Sequence, residues 1–145
     1  MSFLNNNNSN QSSCVKEILK VILLLQQNAC GECGIDSCDR PVLGNSTNCL
    51  MCNTRPVMVY TCCGNGTPWS MPISKDITTT TDPTEVSSVF RVEKLDGNCC
   101  TFRVLAPNPD TTSLNPYVTT NSLFTMDLDC LCVCRCLADT YVDCM

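Results

Sequence analysis

The chain has 145 residues, of which 15 are cysteines and none is histidine. The absence of histidine excludes Ser-His-Asp and Cys-His catalysis and every histidine-containing metal site, so cysteine and carboxylate side chains remain as candidate ligands. A net charge of −5 without any run of basic residues argues against nucleic acid as a partner.

The number of cysteines exceeds what folding requires. A chain of this length with 43% hydrophobic residues can bury the core of one domain without covalent cross-links. Cysteine nevertheless makes up about a tenth of the residues, a level typical of short secreted disulfide scaffolds. Because fifteen is odd, at least one bond must leave the molecule if all the cysteines pair.

The N-terminal residues predict where the chain is made. They are polar and rich in asparagine, and they lack the basic start and apolar core of a secretory signal. No stretch approaches the roughly 20 apolar residues of a membrane span. The cytosol keeps thiols reduced, so the cysteines either bind metal or meet an oxidant after leaving the compartment of synthesis.

The first two predicted segments are a polar arm and a helix. Residues 1–12 are predicted to be a disordered or partner-held arm, and residues 13–145 a single cysteine-rich domain. Ser13 can cap a helix over residues 14–28. Its helical spacing is carried by Val15, Ile18, Leu19, Ile22 and Leu25 or Gln26. Other leucines and valines make this helix apolar nearly all round, which favours burial against a sheet or a neighbouring subunit.

Residues 29–53 form a predicted cysteine-braced loop. Two paired motifs, Cys30 with Cys33 and Cys49 with Cys52, have the spacing of a four-cysteine zinc site, and Cys38 lies between them. A zinc-binding module is therefore one alternative, set against disulfides or free thiols. A thiol oxidoreductase acting through Cys30 and Cys33 is a weaker alternative, because no βαβ pattern surrounds them.

The rest of the chain has the pattern of β-strands. Residues 56–62 are rich in β-formers and end at a turn. Residues 86–95 and 99–106 flank Asp96-Gly-Asn, a strong hairpin signal, and residues 117–129 lead into the last strand. The prediction is mainly β: a single antiparallel β-sandwich-like domain with one N-terminal helix.

Four cysteines alternate near the C-terminus: Cys130, Cys132, Cys134 and Cys136. On a continuous strand from residue 124 to residue 136 they share one apolar face. We expect them, together with Cys100, to be buried as free thiols or bonded within the subunit. The doublets at 62–63 and 99–100 should each place one sulfur inside and one outside, which turns Cys99 outward.

A second group of cysteines lies in polar segments or faces outward, where disulfides to a neighbouring molecule can form. This group of candidates for intermolecular bonds comprises Cys14, Cys30, Cys33, Cys38, Cys49, Cys52, Cys99 and Cys144.

Several segments also resemble a known family. They are Cys14-Val with its helix, Asn53-Thr-Arg-Pro-Val-Met-Val-Tyr-Thr61, Val89-Phe-Arg-Val-Glu93, Cys100-Thr-Phe-Arg-Val-Leu105, and Asp127-Leu-Asp-Cys-Leu-Cys132 with Cys136-Leu137. In this order they resemble the cysteine-rich spore coat and exosporium proteins of bacilli called CotY, CotZ and ExsY. Cys134, the paired motifs between residues 30 and 52 and the asparagine-rich arm depart from that pattern.

The resemblance implies a structural protein with no active site and no cofactor. Such proteins are made in the mother cell cytoplasm and assemble around the forespore into two-dimensional, often hexagonal lattices that become cross-linked by disulfides. The implied partners are copies of the chain, starting from a hexamer, and other coat or exosporium proteins. A chain without a signal peptide and with surplus cysteine fits this role.

Overall fold

The fold is organised around a five-stranded antiparallel sheet, and the computed structural model describes residues 14–29, 52–76 and 85–143. One helix, α1 (Cys14–Gln27), precedes the strands. The strands are β1 (Val57–Thr61), β2 (Met71–Pro72), β3 (Val86–Ser87), β4 (Val89–Asp96), β5 (Cys99–Pro107), β6 (Tyr117–Asp127) and β7 (Leu131–Cys136). The large sheet has the order β6-β5-β4-β1-β7, and β2 and β3 form a separate two-stranded sheet. The predicted mainly β antiparallel fold with one N-terminal helix is confirmed.

The central hairpin consists of β4 and β5, as the Asp96-Gly-Asn signal predicts. Asp96 pairs with Cys99, and Gly97 adopts a φ of +58°, a conformation that glycine reaches without strain. The predicted apolar face is buried, and its fully buried members are Phe90, Val92, Cys100, Phe102 and Val104. The hairpin therefore supplies the centre of the core.

Three phenylalanines fill the core over this hairpin. Phe124 on β6 meets Phe90 edge-on at 4.8 Å between ring centroids, and it stacks on Phe102 at 5.2 Å. Both arrangements are favourable for aromatic rings. Val57 and Val59 on β1 complete the same buried cluster.

Helix α1 covers one face of the sheet, with Val15, Leu19, Ile22 and Gln26 buried. The Gln26 side chain donates from Nε2 to the carbonyl of Val92 at 2.8 Å and accepts at Oε1 from the backbone N–H of Arg55 at 3.1 Å. Ile18 and Leu25, which the helical spacing assigned to the buried stripe, are instead exposed. The helix is thus bonded to β4 and to the segment just before β1, and it leaves one apolar side uncovered in the described part of the chain.

A 3₁₀ helix (Leu128–Cys130) joins the two edge strands of the large sheet directly. In a flat five-stranded sheet, β6 and β7 would lie about 19 Å apart. The segment from Asp127 to Leu131 reaches at most about 14 Å even when it is fully extended. The sheet therefore curls until its two edges approach each other at this end.

This 3₁₀ helix also corrects the prediction of one continuous strand from residue 124 to residue 136. The Asp127 carboxylate accepts a hydrogen bond from the backbone N–H of Asp129 and caps the turn, while Leu128 enters the core. Two-residue alternation ends there, and the four cysteines do not form one buried row. Cys130, in the turn, and Cys136, at the end of edge strand β7, are exposed.

The segment after β7 returns along the start of β1. Thr54 and Thr140 exchange backbone hydrogen bonds at 3.0 and 2.9 Å, and the Arg55 guanidinium donates to both oxygens of Asp139 at 2.6 and 2.9 Å. The hydrogen bond from Arg55 lowers the pKa of the Asp139 carboxyl. These contacts attach the C-terminal part of the described chain to the sheet.

Two predicted segments lie wholly or mostly outside the described residues. The predicted arm, residues 1–12, and most of the predicted cysteine-braced loop lie outside the described residues. Within the described ranges, no helix has the length and hydrophobicity needed to cross a bilayer.

Candidate functional site: a cysteine-lined cavity at the sheet edge

A disulfide between Cys62 and Cys132 joins the chain just after β1 to the edge strand β7. The two Cα atoms lie 5.2 Å apart, within the range that a disulfide requires, and both residues are exposed. The pairing of β1 with β7 is what brings these residues together across 70 positions of sequence.

An irregularity in this pairing positions Cys132. Tyr60 pairs with Val133 and Thr61 with Leu131, so Cys132 is the extra residue on β7 where the register shifts. A bulge of this kind turns a side chain away from its regular direction. Beyond the bulge, the Cys62 N–H donates to the carbonyl of Cys130 at 3.0 Å, which fixes the backbone beside the disulfide.

Two further thiols lie beside the disulfide. Cys63 and Cys130 are free and exposed, and both line the same open cavity as Cys62. The cavity has a volume of about 580 Å³ and is lined by the end of β1, the segment around Trp69 and the end of β6. Three cysteines therefore line it, one of which, Cys62, is in the disulfide.

The walls and rim of this cavity differ in chemistry. Trp69, Met71, Phe124 and Met126 supply apolar surface, and Trp69 is 39% exposed. Asp127 and Asp129 supply two carboxylates at the rim. Such a cavity suits a partner that combines apolar side chains with positive charge.

Cys100 and Cys134 have the opposite environment. Cys100 is fully buried in the core, and Cys134, opposite Val59, is half-buried. Burial raises the pKa of each thiol to about 12. Both therefore stay protonated near neutral pH, which makes them slow nucleophiles.

Three of the eight cysteines predicted to form intermolecular bonds are among the described residues. Cys14, at the start of α1, is exposed, as are Cys52 and Cys99. Cys30, Cys33, Cys38, Cys49 and Cys144 lie outside the described residues. Of the four candidate zinc ligands only Cys52 is described, and the described residues contain no cluster of three groups able to hold a metal.

The doublets behave differently from each other. Cys100 faces inward and Cys99 outward, as alternation on a strand predicts. At the other doublet both sulfurs are exposed, because β1 ends at Thr61 and residues 62–63 lie in the turn that follows. Alternation within one strand therefore does not indicate Cys62 as the partner of Cys132. The pairing of residues 56–62 with the cysteine-rich strand is the feature that would indicate it.

Comparison with known proteins gives one family. A family model described as Spore coat protein Z matches residues 3–139, which includes all the strands described above and the cysteine-lined cavity. Comparisons with curated proteins and with solved structures gave no match. The match extends over most of the chain, and the chain therefore belongs to the spore coat protein Z family.

Proposed function

We propose that the protein is a structural subunit of a spore surface layer, coat or exosporium, that self-assembles into a two-dimensional hexagonal lattice cross-linked by disulfides. Membership of the spore coat protein Z family supports the structural role in the spore coat. The observation that carries the cross-linking is the exposure of free thiols around a well-buried core: Cys14, Cys52, Cys63, Cys99, Cys130 and Cys136.

These thiols are not needed to close the core. The described hydrophobic cluster consists of side chains from α1 and from the strands of the large sheet, and it contains one free thiol that is fully buried, Cys100. In this proposal the exposed thiols instead form bonds to other molecules. Cross-linking in this proposal follows folding.

The uncovered side of α1 supports non-covalent assembly before any bond forms. Ile18, Val21, Leu24 and Leu25 are 45%, 51%, 58% and 48% exposed. Adjacent apolar side chains on one helix face indicate a site of protein contact when they form a contiguous patch. Copies of the chain are the first partners in this proposal, and other coat or exosporium proteins are further partners.

The order of events follows from redox chemistry. Synthesis in the mother cell cytoplasm keeps the thiols reduced while subunits fold and associate around the forespore. Oxidation in the maturing spore then joins neighbours that already lie in register. The role needs no catalytic residue and no cofactor.

Electron microscopy and light scattering of the purified chain test this proposal. In reductant at neutral pH we expect a regular oligomer that extends into sheets with six-fold diffraction, and after oxidation we expect the same sheets to resist heat and denaturant. A monodisperse monomer without reductant would contradict self-assembly, and ordered sheets of another symmetry would contradict the hexagonal lattice.

A further inference from the structure

From the cavity, the disulfide is approached on the Cys62 side. Cys62 lines the cavity, whereas its partner Cys132 does not. A thiolate that enters the cavity therefore approaches the disulfide on the Cys62 side, and attack at the Cys62 sulfur makes Cys132 the leaving group. Thiol–disulfide exchange needs an attacking thiolate and access to a sulfur, and it consumes no oxidant.

Helix α1 of another copy has the features that the cavity requires. Its exposed apolar side, Ile18, Val21, Leu24 and Leu25, matches the apolar walls formed by tryptophan, methionine and phenylalanine. The helix carries Lys16 and Lys20 against one acidic residue, Glu17, so its net charge of +1 is opposite to that of the rim. Charge complementarity of this kind orients an encounter.

The same helix begins with a thiol. Cys14 is free and exposed, and it lies one turn from Ile18, at the end of the exposed apolar side. A helix whose apolar side rests on the cavity walls can therefore bring Cys14 to the mouth of the cavity. Contact between two different surfaces, repeated from copy to copy, builds rings or open arrays.

We propose that the Cys62–Cys132 disulfide is an exchange site, and that Cys14 of a second copy attacks it when the start of α1 docks in the cavity. Cys14 first gives up its proton to solvent. Its thiolate then forms a bond to the Cys62 sulfur, the Cys62–Cys132 bond breaks, and Cys132 leaves as a thiolate that takes a proton from solvent. One disulfide is lost and one is formed, so the electrons balance without an oxidant.

The environment of Cys134 limits one competing reaction. Free thiols lie two residues from Cys132 on both sides, exposed Cys130 and half-buried Cys134, and burial keeps Cys134 protonated. It therefore does not readily open the disulfide from within the subunit. Docking raises the local concentration of Cys14 at the disulfide and therefore speeds the exchange between copies.

This inference rests on the proposed function, since it names the contact and the bond by which copies would be joined. It adds that the Cys62–Cys132 disulfide, once an oxidant has formed it in the subunit, holds the oxidising equivalent for the bond to a neighbour. The cross-link itself then forms by docking and exchange, and it consumes no further oxidant.

Two complementary variants of the full chain test the exchange. The acceptor is Cys14→Ser with the Cys62–Cys132 disulfide intact, and the donor is the heavy-isotope-labelled double variant Cys62→Ser/Cys132→Ser, fully reduced and freed of reductant under argon. We expect mixing under argon to give a linked peptide pair between Cys14 of the donor and Cys62 of the acceptor. Each link should release one Cys132 thiol that can be alkylated.

Matched variants separate docking from general thiol reactivity. Adding Cys14→Ser to the donor should abolish the link, whereas adding Cys99→Ser, which removes an exposed thiol elsewhere, should leave its yield unchanged. On the acceptor, Asp129→Lys should slow the link at low salt, and Asp96→Lys, an exposed change on the hairpin, should not. Circular dichroism of each variant checks that the fold is retained.

The results separate failure of the exchange from failure of the lattice proposal. Links that map to Cys132 or avoid Cys14, or links that form only after air is admitted, overturn the exchange. If light scattering shows assembly of the mixture in those cases, the lattice proposal stands without it. If the mixture neither assembles nor links, both proposals fail.

Discussion

Cys62 and Cys132 are joined across the β1–β7 pairing with their Cα atoms 5.2 Å apart, at the point where β7 carries an extra residue. The bond closes a long loop that contains β4, β5 and β6, so most of the large sheet lies between its ends. It therefore restricts the unfolded chain strongly, although it lies at the surface of the folded one.

Removing this disulfide should lower stability without abolishing the fold. For two cysteines 70 positions apart, the loss of loop-closure entropy in the unfolded chain corresponds to about 4 kcal/mol. We expect the Cys62→Ser/Cys132→Ser variant to keep its β-sheet signal in circular dichroism and to unfold at lower urea concentration. The Cys99→Ser variant is the control and should unfold like the parent chain. Loss of all β-sheet signal in the double variant would show that folding depends on the bond.

The side chain of Gln26 should contribute far more to the free energy of unfolding than that of its neighbour Gln27. Gln26 is buried and bonds both the Val92 carbonyl and the Arg55 N–H, whereas Gln27 is exposed. Replacing Gln26 by alanine leaves a buried carbonyl and a backbone N–H without these partners, at a cost of about 1–3 kcal/mol. We expect urea unfolding to show this loss for Gln26→Ala and a change within about 0.5 kcal/mol for Gln27→Ala. Equal effects would contradict the bridging role.

How much the sequence predicts depends on whether the determining contacts are local. The hairpin around Asp96-Gly-Asn and the helix from Cys14 follow from neighbouring residues, and both are confirmed. Alternation predicts one buried row for the four cysteines at residues 130–136 only if the strand is uninterrupted. Asp127 capping a 3₁₀ turn and the bulge at Cys132 depend on how β7 pairs with β1, which alternation within one strand does not reveal.

The exposed side of the helix shows the same limit. Helical spacing identified a wide apolar stripe, but only the sheet decides which part of it is buried. Ile18 and Leu25 lie beyond the side that the sheet covers, and Gln26 occupies a buried position because it has two backbone partners.

Buried Cys100 and half-buried Cys134 predict a loss of stability at alkaline pH. Burial raises the pKa of Cys100 and Cys134 from 9.0 to about 12 in the folded chain. Above pH 9 the unfolded chain therefore releases protons that the folded chain retains, so their contribution to stability is complete below pH 9 and declines as pH rises towards 12. Each thiol contributes a slope of at most about 1.4 kcal/mol per pH unit.

Urea unfolding between pH 8 and 10, about the 9.0 of an unperturbed thiol, measures this decline. Cys100→Ala should reduce the slope with pH, although it also lowers stability at neutral pH by leaving a small cavity. Cys99→Ser, an exposed change at the neighbouring position, should leave the slope as it is. An unchanged slope in Cys100→Ala would contradict the buried, protonated state of this thiol.

Alkylation of the reduced subunit should divide the described cysteines into two groups. Cys14, Cys52, Cys62, Cys63, Cys99, Cys130, Cys132 and Cys136 are exposed and should react quickly, whereas half-buried Cys134 should react more slowly and fully buried Cys100 only as the chain opens. Mass spectrometry of reduced protein held at low concentration, where it is a single subunit, gives the rate at each site. Fast reaction of Cys100 without unfolding would contradict its burial. Comparison with the assembled protein then identifies which exposed thiols lie at contacts between copies.

Substitutions on the two sides of α1 should separate folding from assembly. Leu19 is fully buried, and replacing it by alanine removes core contacts at a cost of about 2–5 kcal/mol. Leu24 is 58% exposed, so Leu24→Glu should change the free energy of unfolding by no more than about 0.5 kcal/mol.

If the uncovered side of α1 is a contact between copies, the same substitution places a carboxylate in an apolar interface beside the acidic rim of the cavity. We therefore expect Leu24→Glu to raise the concentration needed for assembly in reductant, measured by light scattering. Gln27→Glu adds the same charge at another exposed position of the helix and should assemble like the parent chain, and equal assembly of both variants would remove α1 from the contact.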